Sequence, residues 1–352
     1  MTRFDYSALH DFATNLAVKL KLPGDRAEIQ SDVLLEADLM GHTTHGLALL
    51  PGLLGGLESS AIRVSGEPEV LSDKGSAVMW DADRLPGTWL MTRAIREARA
   101  RLTQHPVMTI VIKRITHIAA LGAYLRQATD HGLIILIMNS DPSMRTVTPA
   151  GGAQPQLAAN PLAFGYPTNG DPILIDISSS AVANGWVRRW AAEGKHLPGQ
   201  WLLDAQGNPT DDPNALFGNP RGAMLPLGGL DMGHKGFALG LIVEVMTAGL
   251  SGLGRADGLS GDAGTPVFIQ LIDPAAFAGG EALKREAGWL ADACRATSPR
   301  PGVSKVRMPG DTALASRKAQ LKDGVALYPT IMPELKKWAD KLGVSIPGQL
   351  AA

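Results

Sequence analysis

Cysteine is nearly missing from this 352-residue chain, with Cys294 the single one. One thiol cannot close an intrachain disulfide or build a thiolate metal cluster, which excludes a disulfide-stapled scaffold and a cysteine-based zinc site. An excess of charge of one sign is missing too: 33 Lys and Arg stand against 34 Asp and Glu, leaving no basic face for nucleic acid or for a membrane surface. The longest apolar runs, such as Leu133 to Met138, fall far short of the roughly 18 residues that span a bilayer. The opening Met1-Thr2-Arg3-Phe4-Asp5 has no apolar core of the signal-peptide kind, so a cytoplasmic protein is expected. Two chemical signatures are also lacking. No G-x-G-x-x-G follows a strand candidate, and no G-x-S-x-G elbow is present for a serine nucleophile.

What is present is a chain longer than one average core, 45% hydrophobic and loop-rich with 40 Gly and 24 Pro, which implies two or three packed subdomains. Leu9, Phe12, Leu16 and Leu20 recur at helical spacing up to Pro23-Gly24. Asp25 and Glu28 then read as a capping box for a second helix that ends at Gly41. Leu47 to Leu57 is apolar and helical in part, with Pro51-Gly52 as an interruption, and residues 1–75 form a helical unit. From Val78 the texture changes. A helix carrying Ala94, Ile95, Ala98 and Leu102 precedes a buried strand, Val107 to Ile112, and Thr116 is placed to cap a helix running to His131-Gly132 before the strand Leu133 to Met138. Such a helix start can receive an anion. Strands are predicted at Leu162–Gly165, Ile173–Ile177, Val267–Ile272 and Val303–Met308, and helices at Ala181–Ala192 behind a serine cap, at Glu281–Ala296 and at Pro333–Leu342. Gly228 to Gly236 resembles a phosphate loop without the Ser or Thr after Lys235. It reads as a flexible approach to an apolar helix, Phe237 to Ala248, with a lysine suited to a phosphate or ribose edge. Trp186, Trp190 and Trp201 read as core or subunit-contact residues rather than cofactor stackers.

The densest chemistry lies in Gly41-His42-Thr43-Thr44-His45-Gly46. An imidazole gives or takes a proton near neutral pH, and Thr44 is placed to hold the ring of His45 in one tautomer. The alternative is that Gly41 ends a helix and the histidines are ordinary helix-end residues, where the dipole favours the protonated ring. His42 and His45 could meet one ion, but no third ligand is evident, and no metal is expected.

Taken together these segments resemble the second-type malate/L-lactate dehydrogenase family, which includes sulfolactate, ureidoglycolate and diketogulonate dehydrogenases and cyclic-imine reductases. Gly41 to Gly46 is similar to its G-H-x-S-H-G, Ala158-Ala159-Asn160-Pro161 to its G-T-N-P, Asp176-Ile177-Ser178-Ser179-Ser180 to its D-M-A-T-S, and Met308-Pro309-Gly310-Asp311 to its P-G-E turn. Leu225 to Gly229, His234-Lys235-Gly236 and Glu244 continue the likeness. The resemblance implies an α+β (mixed α/β) fold with a nicotinamide-binding domain that is not a Rossmann sheet (76–138 plus 225–319). It also implies a helical domain (1–75 plus 320–352), an inserted domain lining the active site (139–224), and a homodimer. His45 would be the proton donor, with Thr44 and His117 in support. His117, Ile118, Ala119, Ala120 and Leu121 would meet the pyrophosphate. Asp176, Ile177, Ser178, Leu227, Gly228 and Lys235 would line the cofactor, and Arg307, Pro309, Gly310 and Asp311 would lie near its adenosine.

A carboxylate at 311 favours NAD over NADP, whereas Lys305 and Arg307 pull the other way. Ala159 and Asn160 would face the substrate. Relatives commonly carry an arginine where this chain has Leu49, and the imine reductases an aspartate where it has Trp186. Either Arg145 supplies the missing guanidinium, or the small-molecule substrate is less anionic and bulkier than malate, with an apolar part against Leu49 and Trp186. The implied activity is NAD(P)-dependent hydride transfer on a 2-oxo or 2-hydroxy acid. The alternatives are a cyclic-imine reductase and a cofactor-binding protein that has lost catalysis.

Overall fold

The computed structural model describes residues 2–258 and 264–350. In chain order the elements are β1 (Arg3–Phe4), α1 (Tyr6–Lys19), α2 (Gly24–Leu39), α3 (Leu50–Glu58), β2 (Glu69–Asp73), β3 (Ala77–Asp81), α4 (Gly87–Arg101), β4 (Val107–Ile115), α5 (Gly122–Thr129), β5 (Ile134–Asn139), β6 (Leu162–Tyr166) and β7 (Ile173–Ile177). There follow α6 (Asn184–Ala192), β8 (Leu202–Leu203), β9 (Pro209–Thr210), β10 (Ala223–Met224), α7 (Gly229–Glu244), β11 (Thr265–Ile272), α8 (Gly280–Ala296), α9 (Asp311–Asp323), β12 (Val325–Ala326) and α10 (Ile331–Leu342).

A mixed seven-stranded sheet, ordered β2-β3-β4-β11-β5-β6-β7, forms the centre. Only β3 and β4 run parallel; the other neighbours are antiparallel. β11 therefore lies between β4 and β5, the two strands that flank α5. Side chains alternate across it as a pleat requires. Ile110, Ile112, Ile135, Ile137 and Ile269 join the large core under α4 and α5, whereas Val111, Met138 and Phe268 form a smaller one with Val243 of α7 on the opposite face.

The helices before β2 are closed from the far end of the chain. β1 pairs with β12, and α10 packs on α1 and α3. On α9, Ser316 Oγ donates to Leu39 O and Gln320 Nε2 to Asp38 O, each at 2.9 Å. These bonds add partners to the carbonyls at the end of α2, where Asp38 O also accepts the Gly41 N–H, at the point where the chain enters the histidine loop. The segments between β5 and β6 and between β7 and α7 build a separate small core around Val147, Val187, Leu202 and Met224, against which Trp190 and Trp201 pack. Leu230, Leu241, Ile242, Val245 and Leu250 stand exposed along α7 and the turn that extends it.

Several expected boundaries moved. Val303 to Met308 has no strand pairing, and α9, which follows it, was not anticipated. Gly229 to Gly236 is the first half of α7 and not a flexible approach, because close packing suits glycine there: a Cβ on Gly236 would meet the Leu227 backbone. Pro51 sits in the first turn of α3, where its missing N–H costs nothing, instead of interrupting it. Pro333 likewise lies inside the first turn of α10, not at its opening. Asp25 makes no side-chain cap to α2, and α6 starts at Asn184 without a serine cap. Thr116 does not cap α5. Its Oγ1 accepts the Gly87 N–H at 2.8 Å at the start of α4, and α5 begins only at Gly122.

Candidate active site

The loop from Gly41 to Gly46 takes its shape from what lies beneath it. His42 N–H donates to Ala37 O and His45 N–H to His42 O, both at 2.8 Å. Asp38, wholly buried in the last turn of α2, accepts the Leu47 N–H at 2.7 Å and so caps the short turn Leu47–Leu49 that follows the loop. A Cβ on Gly46 would overlap that carboxyl, which explains the glycine that closes the motif. Gly185 plays the same part from α6, since a Cβ there would come within 2.9 Å of Thr44 Cβ.

Thr44 Oγ1 lies 2.8 Å from His45 Nδ1, which occupies that nitrogen and leaves Nε2 as the ring's other polar atom. The His45 and His117 ring centroids are 6.2 Å apart. His117 Nδ1 accepts the Ala119 N–H at 3.0 Å, so its neutral ring carries the proton on Nε2. Making that bond puts Ala119 at φ +61°, strain of the kind that gathers at functional sites.

Two pockets border the histidine pair. A cleft of about 320 Å³ is lined by His45, Thr44, Leu121, Asp176, Ser178 and Trp186, with Ala119, Ala120, Ala159 and Ile177 also on its wall. A second, more apolar pocket of about 340 Å³ is lined by His117, Leu49, Leu53, Ile62, Arg84 and Ser143. Asp176 joins the end of β7 to the start of α5 by accepting the Gly122 N–H at 2.7 Å. Ile118 is buried beside the cleft, its carbonyl accepting from Tyr124 Oη at 2.6 Å.

The remaining predicted residues fall at different distances from this centre. Leu227 and Gly228 adjoin the wall, as Leu227 N–H donates to Ser179 O at 2.8 Å. Pro309 and Gly310 lie against β7, where Leu174 N–H donates to Pro309 O at 3.3 Å, and Gly310 takes φ +94°. Asp311 sits in a separate cleft with Lys305, Lys318 and Arg295, held by Arg295 at 2.7 Å, while Arg307 donates to Thr312 Oγ1. Leu49 and Trp186 belong to different pockets, so the two do not form one apolar wall. Three residues depart from expectation. Asn160 is fully buried and its Nδ2 donates to Gly240 O and Glu244 Oε2, tying α7 to the sheet, while its Oδ1 has no partner among the described residues. Arg145 is exposed and lines neither pocket, and Lys235 is exposed in the second turn of α7.

Burial sets the charge states. Desolvation first, then the neighbouring His117, lowers the His45 pKa to about 4, against a smaller upward pull from Asp176. Desolvation also lowers that of His117, although one side of its ring opens to the second pocket. Both rings are therefore neutral at pH 7. The helix dipole does not impose the protonated form, because the loop carries His45 beyond the last turn of α2, where the dipole's influence fades. Burial raises the Asp38 carboxyl to about 7, opposed by the Leu47 N–H and the charge of Arg189. Sequence reasoning missed Asp38 and Arg189. Arg189 left one trace, its place one helical turn after Gly185.

A paired-imidazole cleft beside a mixed sheet suits proton transfer to a carbonyl or hydroxyl, and comparison with known proteins identifies the class. The chain belongs to the malate/L-lactate dehydrogenase family, whose model matches residues 4–336. It is 31% identical to an L-lactate dehydrogenase of Cupriavidus necator over 98% of this chain and 99% of that one. It is also 31% identical to a Δ1-pyrroline-2-carboxylate/Δ1-piperideine-2-carboxylate reductase of Pseudomonas syringae, over 95% of each chain. The solved malate dehydrogenase of Pyrococcus horikoshii superposes with a TM-score of 0.87 at 26% identity, covering 97% of this chain and 96% of that one. The protein is thus an oxidoreductase that uses a nicotinamide cofactor on a hydroxy or oxo acid. Among the described residues no helix is long and apolar enough to cross a membrane.

A carboxyl whose pKa is raised from 3.8 to about 7 contributes stability that is fully present below about pH 4 and is lost progressively as pH rises to about 7. Asp38→Asn, which mimics the protonated acid, is expected to come nearest the wild-type Tm at about pH 4. Its Tm should exceed that of the wild type by a margin that grows to a few degrees by about pH 7 and then levels off. A gap that stays constant between about pH 4 and 7, read by thermal denaturation, would contradict the assignment.

Proposed function

We propose that His45 exchanges the proton with the substrate oxygen, that Thr44 fixes its tautomer, and that His117 faces the substrate from the other side. The observation that carries this reading is the 6.2 Å spacing of the two rings between two pockets. When bound, the nicotinamide supplies or takes up the hydride. The first cleft suits it: Ala119 to Leu121 lead into the start of α5, whose N-terminus favours a pyrophosphate, and Asp176 to Ser178 form the facing wall. Gly122 allows this approach, since a Cβ there would stand 3.0 Å from Asp176 and 3.3 Å from His42. A cofactor held this way needs no Rossmann sheet. The assignment of 1–75 with 320–352, 76–138 with 225–319, and 139–224 as three domains rests on the β1–β12 pairing and the separate small core of the third.

The substrate we assign is a 2-oxo or 2-hydroxy acid with an apolar side chain lodged beside Leu49, Leu53 and Ile62. NADH is the first choice because Asp311 can accept from a ribose diol. Its ion pair with Arg295 and the nearby Lys305 and Lys318 leave room for a 2′-phosphate, so NADPH is accommodated as well. A homodimer accounts for the apolar row Leu230, Leu241, Ile242, Val245 and Leu250 along α7 and the turn that extends it. A second reading, reduction of a cyclic-imine carboxylate, is supported by the likeness to the Pseudomonas syringae enzyme.

Assay of branched-chain and phenyl 2-oxo acids, oxaloacetate and cyclic-imine carboxylates decides among these. Branched-chain or phenyl acids should lead with the wild type, and His45→Ala should lose at least about a hundredfold in kcat. Oxaloacetate far ahead of the others would sink the apolar-pocket assignment. Oxidation of the hydroxy acid requires neutral His45, so kcat/KM should hold as pH falls and drop only near the ring's pKa of about 4. An acid limb at the ordinary 6.5 would contradict the desolvated ring. Light scattering should give the mass of two chains, and Leu241→Lys with Ile242→Lys should reduce it to one.

A further inference from the structure

α6 belongs to the segment between β7 and α7, yet one of its faces lies along the histidine loop. Gly185, Trp186 and Arg189 share that face, because positions three and four apart on a helix are neighbours. Gly185 rests on Thr44, and Trp186 lines the cofactor cleft. One turn further on, Arg189 reaches Thr43 with both arms of its guanidinium: Nη1 donates to Thr43 Oγ1 at 3.0 Å and Nη2 to Thr43 O at 3.2 Å. The same group lies 3.6 Å from the ring centroid of Tyr328 and 5.0 Å from that of Trp186. Tyr328 Oη in turn bonds Glu193 at the end of α6. The fork therefore meets three chain segments: the loop carrying His45, the helix forming a cleft wall, and the stretch between β12 and α10.

We propose that Arg189 is a positioning residue, which locks the Thr43-Thr44-His45 loop against α6 and thereby sets the placement of the His45 ring and the closure of the cleft around it. This rests on the reading of His45 as the proton-transfer group. Only a planar fork fits the role. A lysine ammonium offers one point of attachment and cannot serve the hydroxyl and the carbonyl of Thr43 while stacked flat on Tyr328. On its other side the loop is held by the buried Asp38 beneath Leu47, so removing Arg189 frees the Thr43 end and leaves the Leu47 end in place. With the loop free, water reaches the imidazole. The groups that face this ring are His42, His117 and Asp176 at the cleft, with Asp38 and Arg189 behind the loop; of these, only Asp38 feels the charge of Arg189, and its carboxyl shifts further up when that charge is removed.

The test compares wild type with Arg189→Ala, Arg189→Lys and Thr43→Val. Arg189→Ala should lower kcat by about a hundredfold, the cost expected of a reacting group displaced by about 1 Å, while the KM for the nicotinamide cofactor changes far less. Arg189→Lys should recover little of the loss. Guanidinium ion added at millimolar concentration should restore part of the activity of Arg189→Ala, and methylammonium should not. Thr43→Val, which removes one of the two acceptors, should fall between. NMR titration of the His45 ring, without cofactor or substrate, supplies a readout independent of turnover. The wild-type ring should titrate near 4, and in Arg189→Ala the midpoint should move up toward 6.5. An unmoved midpoint, or a loss of activity that tracks a fall in Tm and is not rescued by guanidinium, overturns the proposal. A wild type that turns over none of the acids or imines overturns the function proposed above instead, and the ring titration then still decides the role of Arg189.

Discussion

A carboxyl buried under a tight loop is the constraint on which the rest of this site depends. Asp38 lies wholly inside the protein with its Oδ2 on the Leu47 N–H, and the other oxygen has no partner among the described residues. Such a group is costly unless the surroundings hold it rigidly. Here they do so by closing the loop directly over it: Gly46 has no side chain to keep the backbone away, and α9 secures the Asp38 and Leu39 carbonyls from the far side. The chain then has one compact path from Gly41 to Leu47. That path places Thr44 beside His45, and His45 across from His117.

Electrostatics follow from that packing. A histidine just past a helix end would be favoured as a cation by the dipole alone, but the effect fades within the last turn, whereas burial acts on the whole ring. His117 and His42 add like-sign repulsion, and Asp176 offsets only part of it. The result is a pair of neutral imidazoles, with Thr44 Oγ1 bonded to Nδ1 of His45 and the Ala119 amide donating to Nδ1 of His117. Neutral rings suit a site that must take a proton from a hydroxyl in one direction and return it in the other.

Much of this was legible in the primary structure. Period-two and period-3.6 patterns located α1, α2, β4, β5, β6, β7, β11 and α8 to within a few residues, because those elements bury one clear face. The run Gly41 to Gly46 marked the loop. Elements whose form depends on neighbours were not legible. Gly229 to Gly236 looked like a flexible loop because glycine permits many conformations, and only the packing of Gly236 on Leu227 makes it a helix. Thr116 looked like a cap for the helix that follows it, yet its hydroxyl is used by α4, which precedes it. Asn160 looked like a ligand contact, and the bond of its amide to Glu244, 84 residues away in sequence, was not foreseen.

The sequence by itself determined the chemical vocabulary: two histidines and two threonines closed by glycines, an acid at 176, an apolar residue at 49, a tryptophan at 186, and family membership through the order of these motifs. Tertiary structure decided how they are shared out. It put Leu49 and Trp186 in separate pockets, left Arg145 outside both, and brought Arg189 and Asp38 to opposite ends of the loop. The physical reason is range. Propensity and periodicity act over a few residues, whereas desolvation, close approach and paired hydrogen bonds depend on partners that only the folded chain brings together.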